Sequence, residues 1–156
     1  MDPIDQERDE THAERMDRNW NELLQELRVT QTGIQVLAGF LITLPFQQRF
    51  STLGEAQENL YLVVLAAALV SIVLLMTPVI IHRVLFRRGV KQQVVEVSDQ
   101  LARAGFVTLA ITLVLAAALI VWVVTGSTGG WIAGAGLGAV VVGLWLVLPL
   151  ALRRRV

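Results

Sequence analysis

The chain contains no cysteine. That excludes a disulfide framework, a thiolate metal site and thiol nucleophilic catalysis, and it leaves the redox compartment unreadable. Net charge is also lacking, because 13 Lys and Arg balance 13 Asp and Glu. No electrostatic footprint for nucleic acid follows, and only the placement of the charges along the chain is informative. There is no glycine loop before a lysine to cradle phosphate and no HExxH metal motif, so the sequence carries no catalytic or metal-binding constellation and implies no cofactor. The first fifteen residues, MDPIDQERDETHAER, lack the basic start and early apolar run of a signal peptide. The first hydrophobic segment is therefore expected to persist in the mature protein.

What the chain has in excess is apolar surface. Of its 156 residues, 54% are hydrophobic, and the mean hydropathy is +0.61, more than the core of a soluble domain hides. A helix crosses the hydrocarbon with roughly 20 mostly apolar residues. Three stretches meet that length directly, 60–81, 106–125 and 131–152. A fourth, 29–46, is shorter and carries Thr30, Gln31, Thr32, Gln35 and Thr43. Alone it is compatible with a re-entrant segment, but the basic residues argue for a crossing, since Lys and Arg accumulate on the cytoplasmic side. With four spans, Arg8, Arg15, Arg18 and Arg28, then Arg83, Arg87, Arg88, Lys91 and Arg103, and finally Arg153, Arg154 and Arg155 all share one side. Only Arg49 lies opposite.

The expectation is an all-α, multi-pass protein of the cell (inner or plasma) membrane, with both termini cytoplasmic. Its architecture reads as a four-transmembrane-helix bundle with cytoplasmic amphipathic extensions. Tyr61, Trp122 and Trp131 fall at the outer ends of their helices and Trp20 precedes the first, as interfacial aromatics do. The sequence GSTGG at 126–130 reads as a tight outer turn that makes helices three and four antiparallel neighbours. By organisation, 1–15 is a charged, apolar-poor segment expected to be disordered, with His12 solvated. Residues 16–152 form one membrane domain, and 153–156 a basic tail.

Two segments near the inner surface are amphipathic. Met16, Trp20, Leu23, Leu24 and Leu27 recur at helical spacing, as do Val90, Val94, Val97 and Leu101 within 89–103, where the helix is expected to continue into the third span. Such stripes lie on lipid headgroups or on each other. Alternatively they dock another protein, with Glu22 and Glu26 available to pair with Arg87, Arg88 or Lys91.

Inside the spans, Arg28, Thr32, Gln35, Gly39 and Thr43 share one face of the first helix, with Gln31 at its edge. An unpaired amide in hydrocarbon costs several kcal/mol, roughly the penalty of any unsatisfied buried polar group. The face is therefore expected to point into protein, either as interhelical contacts or as a polar path. Gly105, Thr108, Thr112 and Ala116 make a small stripe on the third helix. On the fourth, Gly134 with Gly138, and Ala139 with Gly143, have the small-xxx-small spacing that permits close packing; Gly39 is the corresponding packing position on the first. Ser71, Pro78 and His82 share a face of the second helix, Pro78 being expected to kink it. His82 sits near the inner interface, a boundary residue or a proton-sensitive gate.

The string from Asn19 to Phe46, NWNELLQELRVTQTGIQVLAGFLITLPF, with Gln57, Tyr61 and PVIIHRVLFRR from Pro78 to Arg88, resembles a family of small bacterial four-helix membrane proteins of unknown function. Some members carry an automatic sodium:proton antiporter label, and the resemblance supplies no catalytic or binding residues. Antiport generally relies on an intramembrane carboxylate that holds either cation or proton. No Asp or Glu falls within any of the four spans, so coupling would fall to an interface. Two functions lead, ahead of a stress or envelope factor acting through lipids. One is a non-enzymatic structural or accessory membrane protein, with the bilayer and either a second copy or another membrane protein as partner. The other is a small oligomeric channel or transporter with Gln31, Thr32, Gln35 and Thr43 along its path and His82 as a gate.

Overall fold

A computed structural model describes residues 12–85 and 91–154. The described chain is all-α. Helix α1 runs His12–Thr43, α2 Glu55–Leu85, α3 Lys91–Thr125 and α4 Ser127–Val142, with α4 continuing through a π-helical turn at Gly143–Val147 into α5, Leu148–Arg153. Four helical stretches are long and apolar enough to cross a membrane: Leu27–Phe46, Glu55–Ile81, Glu96–Thr125 and Ser127–Arg153. Disorder was expected over 1–15. Through residue 11 that segment lies outside the described residues, and from His12 the chain is helical.

At 32 residues α1 is about 48 Å long, longer than the roughly 30 Å of hydrocarbon it would cross. The amphipathic stretch and the first span are thus one uninterrupted helix. The stretch before the third span is likewise continuous with it, inside α3. Pro78 lies within α2 without ending it.

The π-helical turn has a local cause. Pro149 has no N–H to give the carbonyl four residues back, and the widened turn just before it lets the Leu148 N–H reach the Gly143 carbonyl instead.

Alanine and glycine set the packing. The core is built from Leu27, Ile34, Ala38 and Leu41 of α1, Val64, Ala68 and Leu75 of α2, and Ala102, Leu109 and Ala116 of α3. Small side chains at the seams let backbones approach closely, while many large apolar side chains, such as Val36, Phe40, Leu62, Val73, Ile120 and Leu146, face outward. Apolar side chains thus cover the outside as well as fill the core, a distribution that suits a hydrocarbon solvent.

The packing order departs from a closed bundle. α2 and α3 form the most extensive pair, α4 lies on α3, and α1 lies on α2 with only slight contact to α3. Among the described residues α4 touches neither α1 nor α2. The four helices form an open, serial arrangement.

The turn between α3 and α4 is also shorter than expected. Gly126 alone separates α3 from α4, at φ 93° and ψ 171°, a conformation in effect reserved for glycine. The remaining Ser127–Gly130 belong to α4, where Gly130 donates its N–H to the Gly126 carbonyl at 3.1 Å.

Candidate functional site

The residues singled out on α1 separate into two groups. Gln31 is half-buried, and its Nε2 donates to the Leu75 carbonyl of α2 at 2.7 Å. That carbonyl is next to the one at Leu74 that Pro78 leaves without its helical donor. Here the amide does what interhelical polar groups do, joining two helices where no water would be present.

Arg28, Thr32, Gln35, Gly39 and Thr43 are all exposed. The expectation that this face points into protein is not met within one chain, which turns it outward. The reason is competition for one seam: Leu27, Ile34, Ala38 and Leu41 lie on a neighbouring face and bury against α2 and α3, and a helix packed on one side cannot also bury the stripe beside it. The hydroxyls there bond to their own backbone, Thr32 Oγ1 to the Arg28 carbonyl at 3.1 Å and Thr43 Oγ1 to the Phe40 carbonyl at 2.8 Å. Gln35 reaches only Met76 Sδ, at 3.9 Å, a weak acceptor. Nothing stands within 4 Å of a Cβ placed on Gly39 or Gly33, so that flank of α1 is open.

The small and hydroxyl residues of α2 and α3 are brought together. Ser71 Oγ and Thr108 Oγ1 lie 2.9 Å apart across the seam. Each also bonds back to its own helix, Ser71 to the Ala67 carbonyl and Thr108 to the Gly105 carbonyl, and Thr112 bonds to the Thr108 carbonyl. A Cβ on Gly105 would stand 2.7 Å from the Leu75 side chain and 3.3 Å from its backbone nitrogen. The hydroxyls of Ser71, Thr108 and Thr112 are thus satisfied by backbone within a largely apolar seam. Ser98 Oγ is fully buried without a hydrogen-bond partner among the described residues.

On α4 the predicted packing glycines also divide. A Cβ on Gly134 would meet Ala118 Cβ at 3.0 Å, and one on Gly138 would sit in ordinary contact with Val114 at 3.8 Å, whereas Gly143 has open space. A Cβ on Gly129 would run into the Thr125 hydroxyl, and the closest approach to backbone is at Gly130, where a Cβ would lie 2.7 Å from the Ala118 carbonyl oxygen and 2.6 Å from Trp122 Cβ. Sequence reading assigned Gly130 to the turn. The signal was present in the four-residue step from Gly130 to Gly134 to Gly138, which is one stripe.

His82 is in α2, but its side chain lies outside the described residues, as do those of Glu22, Glu26, Arg87, Arg88 and Lys91; the proposed gate and ion pairs fall there. Of the aromatics expected at the outer end, Trp122 and Trp131 pack with ring centroids 6.1 Å apart. Tyr61 is instead buried, its hydroxyl donating to the Leu41 carbonyl at 3.0 Å. Together the Gln31 and Tyr61 bonds tie α1 to α2 at two levels. Among the described residues no group of three or more His, Asp or Glu comes together.

A family model described as a family of unknown function, DUF6328, matches residues 9–149. Neither the curated proteins nor the solved structures contain a match.

Proposed function

We propose, from the premise that this chain belongs to the DUF6328 family of unknown function, that it is a non-enzymatic accessory protein of the cell membrane, crossing it four times with both ends cytoplasmic. It assembles laterally through the outward polar face of α1. The carrying observation is that Arg28, Thr32, Gln35, Gly39 and Thr43 are exposed on a helix apolar enough to span. In a bilayer, polar groups facing lipid are costly and small or polar residues favour helix association. A second copy presenting the same face pairs Gln35 with Gln35 across a two-fold axis, the commonest symmetry of homo-oligomers.

The absence of native cysteine makes the test clean. In vesicles, Gln35→Cys and Gly39→Cys are expected to form an oxidative dimer. Phe40→Cys, about 100° round the helix from Gly39, is not. Equal cross-linking at all three positions, or none at Gln35, removes the reading. For the orientation, a tag after Val156 should be unreachable from outside intact cells.

The second reading, an oligomeric channel or transporter that includes sodium:proton exchange, keeps one point of support. A polar path would have to run between chains, because the α1 stripe faces outward and the residues buried between the helices include the apolar Leu27, Ile34, Val64 and Leu75. It requires a protein-dependent flux in reconstituted vesicles that Gln35→Leu reduces, and the accessory reading requires none.

A further inference from the structure

At the end of the molecule opposite most of its arginines, the connection between α1 and α2 folds back beside the last turns of α3. The chain leaves α1 through one 3₁₀ turn at Leu44–Phe46 and forms another at Phe50–Thr52 before α2 begins. Between this connection and α3 lies a half-open cavity of about 320 Å³, its exposed lining almost wholly apolar. Leu44, Phe50 and Leu53 form one wall, and Leu119, Ile120 and Val123 the other. The floor is firm: Tyr61 is buried, bonded to the Leu41 carbonyl, and its ring meets that of Phe50 edge-on at 5.1 Å.

One cation belongs to this apolar space. Arg49 lines it and is exposed, and its guanidinium makes no ion pair with any described residue. Glu55 and Glu58, in the first turn of α2, are the nearby carboxylates by sequence, and neither lines the cavity. Gln47 is likewise exposed, and because the lining is almost wholly apolar both residues contribute to it through their hydrocarbon parts, their polar ends lying outside it. The other described arginines of the spans, Arg28, Arg83, Arg103, Arg153 and Arg154, belong to the opposite end of the helices.

An apolar slot whose lining residues carry one guanidinium and one amide beyond it is complementary to a molecule with a hydrocarbon chain and a single phosphate at its end. Arginine's fork matches phosphate oxygens, and ligand sites are mostly apolar with few placed polar groups. We propose that this cavity is a structural site for a membrane glycerophospholipid, one acyl chain between the 44–54 connection and α3 and the phosphodiester held by Arg49 and Gln47. The lipid completes a packing gap that the open helix arrangement leaves at this end. The site rests on the reading that the chain resides in a bilayer, and is independent of how α1 associates.

The test uses the full chain, first shown to float with phosphatidylcholine vesicles; failure at that step refutes the membrane reading itself, not the site. The protein is then extracted in detergent, titrated with dioleoyl phosphatidylglycerol and weighed by native mass spectrometry. One lipid per chain is expected to survive at low activation energy, with Arg49→Gln weakening retention about tenfold, the scale of one lost charge-assisted hydrogen bond. Arg49→Lys should weaken it less, and Arg103→Gln, an exposed change at the other end, not at all. Val123→Trp, which fills the cavity, should abolish retention while leaving the helical circular dichroism unchanged. Retention that is indifferent to Arg49→Gln and Val123→Trp, or that falls equally in Arg103→Gln, overturns the site, as does preferential retention of free oleate over the phospholipid.

Discussion

At the residue scale, the two glutamines of α1 illustrate how position decides the value of the same chemistry. Gln31 gives its amide to the Leu75 carbonyl at 2.7 Å, while Gln35, one turn further on, meets only a sulfur. Gln31→Leu is therefore expected to lower the unfolding free energy of detergent-solubilised monomer by about 1 kcal/mol, the usual range for interhelical hydrogen bonds. Gln35→Leu should change it by less than about 0.5 kcal/mol, as surface substitutions do. Denaturant titration of the two variants beside the parent checks this, and equal losses would refute the assignment. Both residues were visible in the sequence as polar groups in an apolar span. Which of them has a partner depends on a carbonyl 44 positions away in the chain, which periodicity does not encode.

At the scale of elements, the α3–α4 hairpin depends on glycine for two different reasons. Gly126 takes a backbone conformation that other residues reach only at a cost of order 1–3 kcal/mol. Gly130 takes ordinary helical geometry but presses against the Ala118 carbonyl and Trp122. Gly130→Ala should destabilise by about 1–3 kcal/mol, because the opposing atoms include backbone that cannot rotate away. Gly136→Ala, with open space around it, should be neutral or slightly stabilising, since alanine is the better helix former. Thermal unfolding in one detergent measures both, and equal melting temperatures would contradict the seam. The antiparallel pairing was legible from the glycine-rich turn. The exact hinge was not, because Ser127–Gly130 carry turn-like residues yet extend α4, where packing against α3 outweighs local propensity.

For the whole molecule, the order of packing sets an order of stability. α2 and α3 share the most extensive seam and the Ser71–Thr108 hydrogen bond. Among the described residues α4 packs against α3 but not against α1 or α2, and from Ser127 through Arg153 only Gly130 and Gly134, near the start, are buried. Local opening should therefore detach α4 at lower free energy than it separates α2 from α3. Hydrogen exchange in micelles is expected to label the second half of the Ser127–Arg153 stretch before the Ala67–Leu75 and Ala102–Thr112 regions. Simultaneous exchange of all three would indicate a single cooperative unit and would count against the serial arrangement.

The sequence by itself determined the number and apolar character of the four span-length helical stretches, the continuity of the α3 extension with its span, and the antiparallel partnership of α3 and α4. Each follows from local hydropathy, from covalent linkage or from the conformational freedom of glycine. Tertiary structure alone decided which face of α1 is buried, that α4 stays apart from α1 and α2, and that a cavity with Arg49 opens beside α3. Those outcomes turn on competition between faces of similar apolarity for a limited number of seams. Close approach of Ala and Gly backbones settles that competition, and it is a property of pairs of helices rather than of either one.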